Sequence, residues 1–158
     1  MSRKITIDHF IKTKKNRLNF DSNIWGKKAW PFLFSIAFAY PMNPTGEEIE
    51  KARDFFSSLN VLLACLSCRG NYTKDLNKYP LTDHVLANRV NLIKWLYKIS
   101  NQINKDKGNR TYTLNETINY NYNILKGYDN TKSYFRHVIV IIIFGLFIFL
   151  LYFWSKKN

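Results

Sequence analysis

Thr45-Gly-Glu-Glu-Ile-Glu-Lys-Ala-Arg-Asp-Phe-Phe-Ser-Ser-Leu-Asn-Val-Leu-Leu-Ala-Cys-Leu-Ser-Cys68 is the stretch that decides how this 158-residue chain folds. Thr45 with Glu48 three residues later matches a capping box, which satisfies two orphan N–H groups at a helix start. Ile49, Ala52, Phe55, Phe56, Leu59, Leu62 and Leu63 then recur mostly at steps of three and four, the spacing of one helical face. That helix delivers the chain to Cys65-Leu-Ser-Cys68, which holds both cysteines of the sequence. Two thiols one helical turn apart are a redox dithiol, half of a four-ligand metal site, or an inert buried pair. Metal binding needs two further ligands, and His9, His84 and His137 fall at no spacing that supplies them.

Helical signals continue on both sides. Trp25, Leu33, Ile36, Ala37 and Tyr40 mark an earlier helix that Pro41 and Pro44 end. A short helix runs from the CxxC to about Lys78, where Pro80 stops it. Thr82 or Asp83 then caps a fourth, with Leu86, Val90, Ile93, Leu96, Ile99 and Ile103 on one face and Gly108 beyond its end. No run alternates with period two for long enough to be a strand. The expected class is all-α, a compact four-helix bundle. Residues 111–136, rich in Asn and Tyr, leave room for a fifth short helix followed by a linker. A CxxC that opens a helix sets its first thiol near the positive end of the helix dipole, which favours the thiolate and disulfide exchange.

Val138 to Trp154 is an uninterrupted apolar run flanked by Arg136 and His137 and by Lys156 and Lys157. At ~1.5 Å per residue it covers ~26 Å, close to a ~30 Å hydrocarbon core, and reads as a C-terminal transmembrane helix over 137–155. An anchor so near the C-terminus leaves the preceding domain on the cytosolic side, with membrane lipid as a partner. The formal net charge is +13, and Arg3, Lys4, Lys12, Lys14, Lys15 and Arg17 make residues 1–20 a basic tail. A solvated tail accounts for this charge, attraction to anionic headgroups is the next reading, and no nucleic-acid motif accompanies it. No apolar stretch of signal-peptide length follows the first basic residues. Asn71, Asn109 and Asn115 open N-x-[ST] sequons, which a cytosolic domain carries by chance.

Trp25-Gly-Lys-Lys-Ala-Trp30-Pro-Phe-Leu33, Tyr40-Pro41, Pro44-Thr45, Cys65-Leu-Ser-Cys68, Trp95 and Asn101-Gln-Ile-Asn104 together resemble the Erv/ALR family of FAD-linked sulfhydryl oxidases. The order and intervals agree over about Trp25 to Lys107, so the oxidase-like domain is expected over 21–110. Small size and the absence of a further cysteine pair make the chain look most like versions encoded by large cytoplasmic DNA viruses. The resemblance implies thiol oxidation by FAD with reduction of O2 to H2O2, Cys65 meeting the substrate and Cys68 lying beside the flavin. It implies a dithiol protein substrate, thioredoxin-like or similar, a homodimer packed through its first two helices, and a virion or host membrane as the location. Carried over as FAD contacts are Trp25, Gly26, Trp30, Phe34, Tyr40, Trp95, Lys98, Asn101, Asn104 and Lys105. Phe34, Lys98 and Ser100 stand where the family has histidines. Those departures leave a rival reading, a non-enzymatic membrane-anchored scaffold that keeps the fold without flavin.

Overall fold

Thr45 caps a helix as its neighbours foretell. Its hydroxyl accepts the Glu48 N–H and the Glu48 carboxylate accepts the Thr45 N–H, closing the capping box at the start of α3 (Gly46–Leu62). The computed structural model describes residues 7–12, 17–127, 138–146, 148, 154 and 156. Before α3 come a one-and-a-half-turn helix α1 (Ile7–Lys12) within the basic tail, and α2 (Ser22–Ala39). Asp21 caps α2 through the Asn23 N–H, and the helix stops at Tyr40, where Pro41 disfavours a further helical residue. Cys65 opens α4 (Leu66–Lys78), which ends at Tyr79 before Pro80.

The fourth helix expected from the apolar spacing is two helices. A single turn, α5 (Asp83–Leu86), is capped by Thr82, and α6 (Arg89–Asp106) starts afresh behind Asn88. Asn88 is fully extended, and its side chain accepts the Asn91 N–H at 3.0 Å. An Asn that caps the following turn competes with the backbone's own helical bond, so the chain kinks while the apolar register survives. The fifth short helix exists as α7 (Leu114–Leu125), with Thr113 and Glu116 forming a second capping box.

α2 packs against α6 and α7, α3 against α4 and α5, and α4 against α6. Leu33, Phe34, Ala37 and Tyr40 of α2 with its C-cap meet Phe56, Tyr72, Leu86, Leu92, Trp95, Leu96 and Ile99 in one core. Phe34, Phe56, Leu86, Leu92 and Ile99 are wholly sealed, each such side chain contributing about 1.5–3 kcal/mol. Every described element is helical, so the all-α expectation holds.

The expected transmembrane helix over 137–155 does not. Among the described residues no helix is long and apolar enough to cross a membrane. Residues 138–146 are helical, half-buried at Val138 and exposed beyond it, but at ~1.5 Å per residue they extend only about 14 Å, half of a ~30 Å hydrocarbon core. The rest of that stretch lies largely outside the described residues. The single-pass anchor, the lipid partner and the cytosol-facing location inferred from it fall with the helix.

Candidate active site

Cys65 sits in extended backbone as the N-cap of α4, and its sulfur accepts the Cys68 N–H at 3.2 Å. The Ser67 hydroxyl lies 3.2 Å from the same sulfur. Cys65 and Cys68 are joined in a disulfide, their Cα atoms 5.1 Å apart. Once that bond is reduced, the Cys65 sulfur stands among donors at the positive end of a thirteen-residue helix, an arrangement that favours its thiolate. Two arginines hold the end of the preceding helix. Arg69 donates from Nε to the Leu63 carbonyl at 2.6 Å, and Arg17 donates to the Val61 carbonyl at 3.2 Å, each satisfying a carbonyl at the end of α3. Cys65 is only 5% exposed, whereas Cys68 is half-buried.

The start of α2 lies beside this elbow. Phe20, Asp21, Ile24 and Trp25 line an apolar cleft together with Ala64, the residue before Cys65. Lys107, just past α6, donates to the Ser22 hydroxyl at 2.9 Å. The starts of α2 and α4 and the end of α6 therefore gather at one end of the bundle.

The carried-over residues divide into two groups. Trp25, Gly26 and Trp30 on α2, and Asn104 on α6, are half-buried, while Lys98 and Lys105 are exposed. A Cβ built on Gly26 would meet nothing within 4 Å, so the helix surface is open there. The others have their contacts taken by the protein. Phe34 is sealed against Phe38, ring centroids 5.7 Å apart. The Tyr40 hydroxyl donates to the Leu86 carbonyl at 2.9 Å, and burial is the main cause raising its pKa. Trp95 donates from Nε1 to the Tyr79 carbonyl at 2.8 Å and stands edge-on to Phe56. Asn101 uses both ends of its amide on the Tyr112 backbone, donating to the carbonyl at 2.6 Å and accepting the N–H at 3.0 Å. Ser100, where the resemblance implies a histidine, is buried and donates to the Tyr97 carbonyl.

Sequence reasoning missed Asp75. It is 2% exposed on α4, and its Oδ2 has no hydrogen-bond partner among the described residues. Burial first and the nearby Asp106 second push its carboxyl up to about 6, against the pull of Lys78. The available signal was its place beside Tyr72, Leu76 and Tyr79, a face that packs into the core. Asn19 also escaped notice and Arg17 was read only as tail charge, because a charge-rich tail offers no periodicity that marks a side chain bound to a distant carbonyl or N–H.

The chain is 45% identical over 94 residues to a probable FAD-linked sulfhydryl oxidase of Acanthamoeba polyphaga mimivirus, covering 60% of this chain and 66% of that one. It is 28% identical over 80 residues to the FAD-linked sulfhydryl oxidase ERV2 of Saccharomyces cerevisiae, covering 51% of this chain and 39% of that one. The match thus spans just under two thirds of the viral protein and about two fifths of the yeast one. Among solved structures, the FAD binding domain of Erv1 from Saccharomyces cerevisiae superposes with a TM-score of 0.58 at 21% identity, over 64% of this chain and 93% of that domain. This likeness establishes a shared fold. The model of the Erv1 / Alr family matches residues 27–123, more than half of the sequence and including the CxxC, and the chain belongs to that family.

Proposed function

We propose that this chain is an FAD-dependent thiol oxidase that forms disulfides in protein substrates and passes the electrons to O2, releasing H2O2. The observation that carries the reading is the Cys65–Cys68 disulfide capping α4, in a chain whose relatives are named FAD-linked sulfhydryl oxidases. A substrate thiolate forms a bond to the Cys65 sulfur as the Cys65–Cys68 bond breaks, leaving Cys68 as a thiolate. The second substrate thiol, as thiolate, then displaces Cys65. The substrate gives up two electrons and two protons and leaves as a disulfide. The Cys68 N–H and the Ser67 hydroxyl, both 3.2 Å from the Cys65 sulfur, stabilise the thiolate released in that second step.

The open end of the bundle fits a flat, doubly phosphorylated cofactor. Trp25 and Trp30 are half-buried, Gly26 leaves space beside Trp25, and Lys105 near the end of α6 offers a cation to phosphate, with Lys98 exposed about two turns earlier on that helix. Asn104 retains an amide for a base or ribose edge. When bound, FAD supplies the two-electron acceptor and the chemistry with oxygen. Phe34, Tyr40, Trp95 and Asn101 then act behind this surface, holding the helices that carry it. A flavin-free scaffold is the competing reading, favoured by the sealing of Phe34 where the family has a histidine. Homodimerisation through α2 and α3 fits Phe32 at 57% and Leu62 at 71% exposure.

The test is oxygen uptake and peroxide release by the FAD-loaded chain supplied with a protein dithiol. Cys68→Ser abolishes turnover, and Cys65→Ser leaves flavin bound but isolated from substrate. Full turnover in Cys68→Ser would refute the assignment.

A further inference from the structure

Resting on that reading, the burial of Cys65 poses a problem of access. The sulfur that meets the substrate belongs to a residue only 5% exposed. Its two chain neighbours are both held by the segment that precedes α2. The Phe20 N–H donates to the Ala64 carbonyl at 2.9 Å, and the Asn19 Oδ1 accepts the Leu66 N–H at 2.8 Å. Arg17 bonds the Val61 carbonyl further along, and the Trp25 indole N–H bonds the Phe20 carbonyl. Residues 17–20 therefore form a strap that pairs with the α3–α4 elbow on both sides of the disulfide's first cysteine.

We propose that the outer edge of this elbow is the docking edge for the cysteine-bearing segment of the substrate, and that residues 17–20 occupy it until the substrate displaces them. The chain's own segment shows what fits. The edge presents one acceptor, the Ala64 carbonyl, and one donor, the Leu66 N–H, which any extended peptide can match. Phe20 lines an apolar cleft together with Ile24, Trp25 and Ala64 and is itself 52% exposed, and Val61 and Leu66 leave further apolar surface beside it at 50% and 69% exposure. The matching partner is an extended segment with an aromatic or large aliphatic residue beside its cysteine. Release is easy, because Arg17, Asn19 and Phe20 are exposed and solvent competes for each of their bonds.

The experiment follows reduction of the Cys65–Cys68 bond in the full chain, anaerobically and without flavin, by alkylation and mass shift. A small water-soluble phosphine is the first reductant. Asn19→Ala combined with Phe20→Ala speeds reduction about fivefold, the factor that one lost hydrogen bond gives, and Arg17→Met accelerates it in the same direction. Dithiol peptides are the second reductant. One with Phe beside its first cysteine reduces the double variant faster than one with Asp there, and a peptide of residues 17–21 slows that reaction. An unchanged phosphine rate in both variants would overturn the strap, and equal rates for the two peptides would overturn the docking edge. Neither readout needs an active oxidase, so failure of the oxidase reading shows separately, as absent oxygen uptake in FAD-loaded wild type.

Discussion

At the scale of single residues, Asp75 is the carboxylate, among those described, whose environment most opposes its charge. Its carboxyl is raised from 3.8 to about 6, chiefly by burial and then by Asp106. A carboxyl raised on folding holds its proton to higher pH in the native state than in the unfolded one. Between those two values the folded protein binds more protons, so stability falls as pH climbs through that window and stays lower above it. Asp75→Asn removes the charge and should stabilise the domain at pH 8 by at most about 3 kcal/mol, the equivalent of the shift. At pH near 3, where the wild-type carboxyl is already protonated, the two proteins should agree within about 0.5 kcal/mol. Urea midpoints at the two pH values measure this, and an equal difference at both would show that charge is not the cause. The helical spacing of Tyr72, Leu76 and Tyr79 marks the face that buries it, but a carboxylate in such a place reads by default as solvated. By contrast, Cys65 at the start of a helix was legible, since a capping position followed by a helix ending before Pro80 is a local signal.

Among the elements, α7 shows an apolar stripe that its polar neighbours obscure. The residues it buries include Thr117 and Asn121, polar side chains that bond along their own helix, to the Thr113 and Thr117 carbonyls. Leu114, Ile118, Tyr122 and Leu125 recur at helical spacing, yet the most buried positions are the polar Thr117 and Asn121, so the apolar residues alone understate how the helix packs, although the Thr113-to-Glu116 box was there to read. The Glu116 carboxyl is held below its usual range first by the Thr113 N–H, so the box is electrostatically engaged. The split of α5 from α6 escaped for the opposite reason: Leu86 and Val90 keep helical spacing across a break that Asn88 makes. Tyr122 meets Phe38 of α2 edge-on, and Tyr112 is pinned by Asn101, which ties α7 to the bundle. Thr113→Ala should therefore cost about 1 kcal/mol and act locally. Hydrogen exchange should quicken at the Glu116 amide while amides in the middle of α3 keep their protection; equal loss in both would mean that α7 does not open on its own.

For the whole molecule, the question is whether a bundle with so many carried-over residues locked into its core still takes flavin at its open end. The family pattern was legible in order and spacing, but spacing cannot tell a residue that lines a surface from one a layer beneath it. Phe34 and Trp25 make the contrast, the first wholly sealed and the second half-buried beside the elbow. A ligand that binds only the folded state adds about 2.7 kcal/mol at a hundred times its dissociation constant. In a domain of this size that raises the melting temperature on the order of 10 °C. Added FAD should produce such a shift in wild type. Phe34→Ala should lower the flavin-free melting point steeply, the truncation costing about 3–5 kcal/mol, while leaving most of the FAD-induced rise. Trp25→Ala should do the reverse, moving the flavin-free value little and removing much of the rise, because its ring borders open space and not the packed core. Differential scanning fluorimetry with and without FAD separates the cases. If FAD shifts none of the three proteins, the scaffold reading prevails, and if Phe34→Ala alone loses the shift, the cofactor reaches into the core instead of lying across the open end.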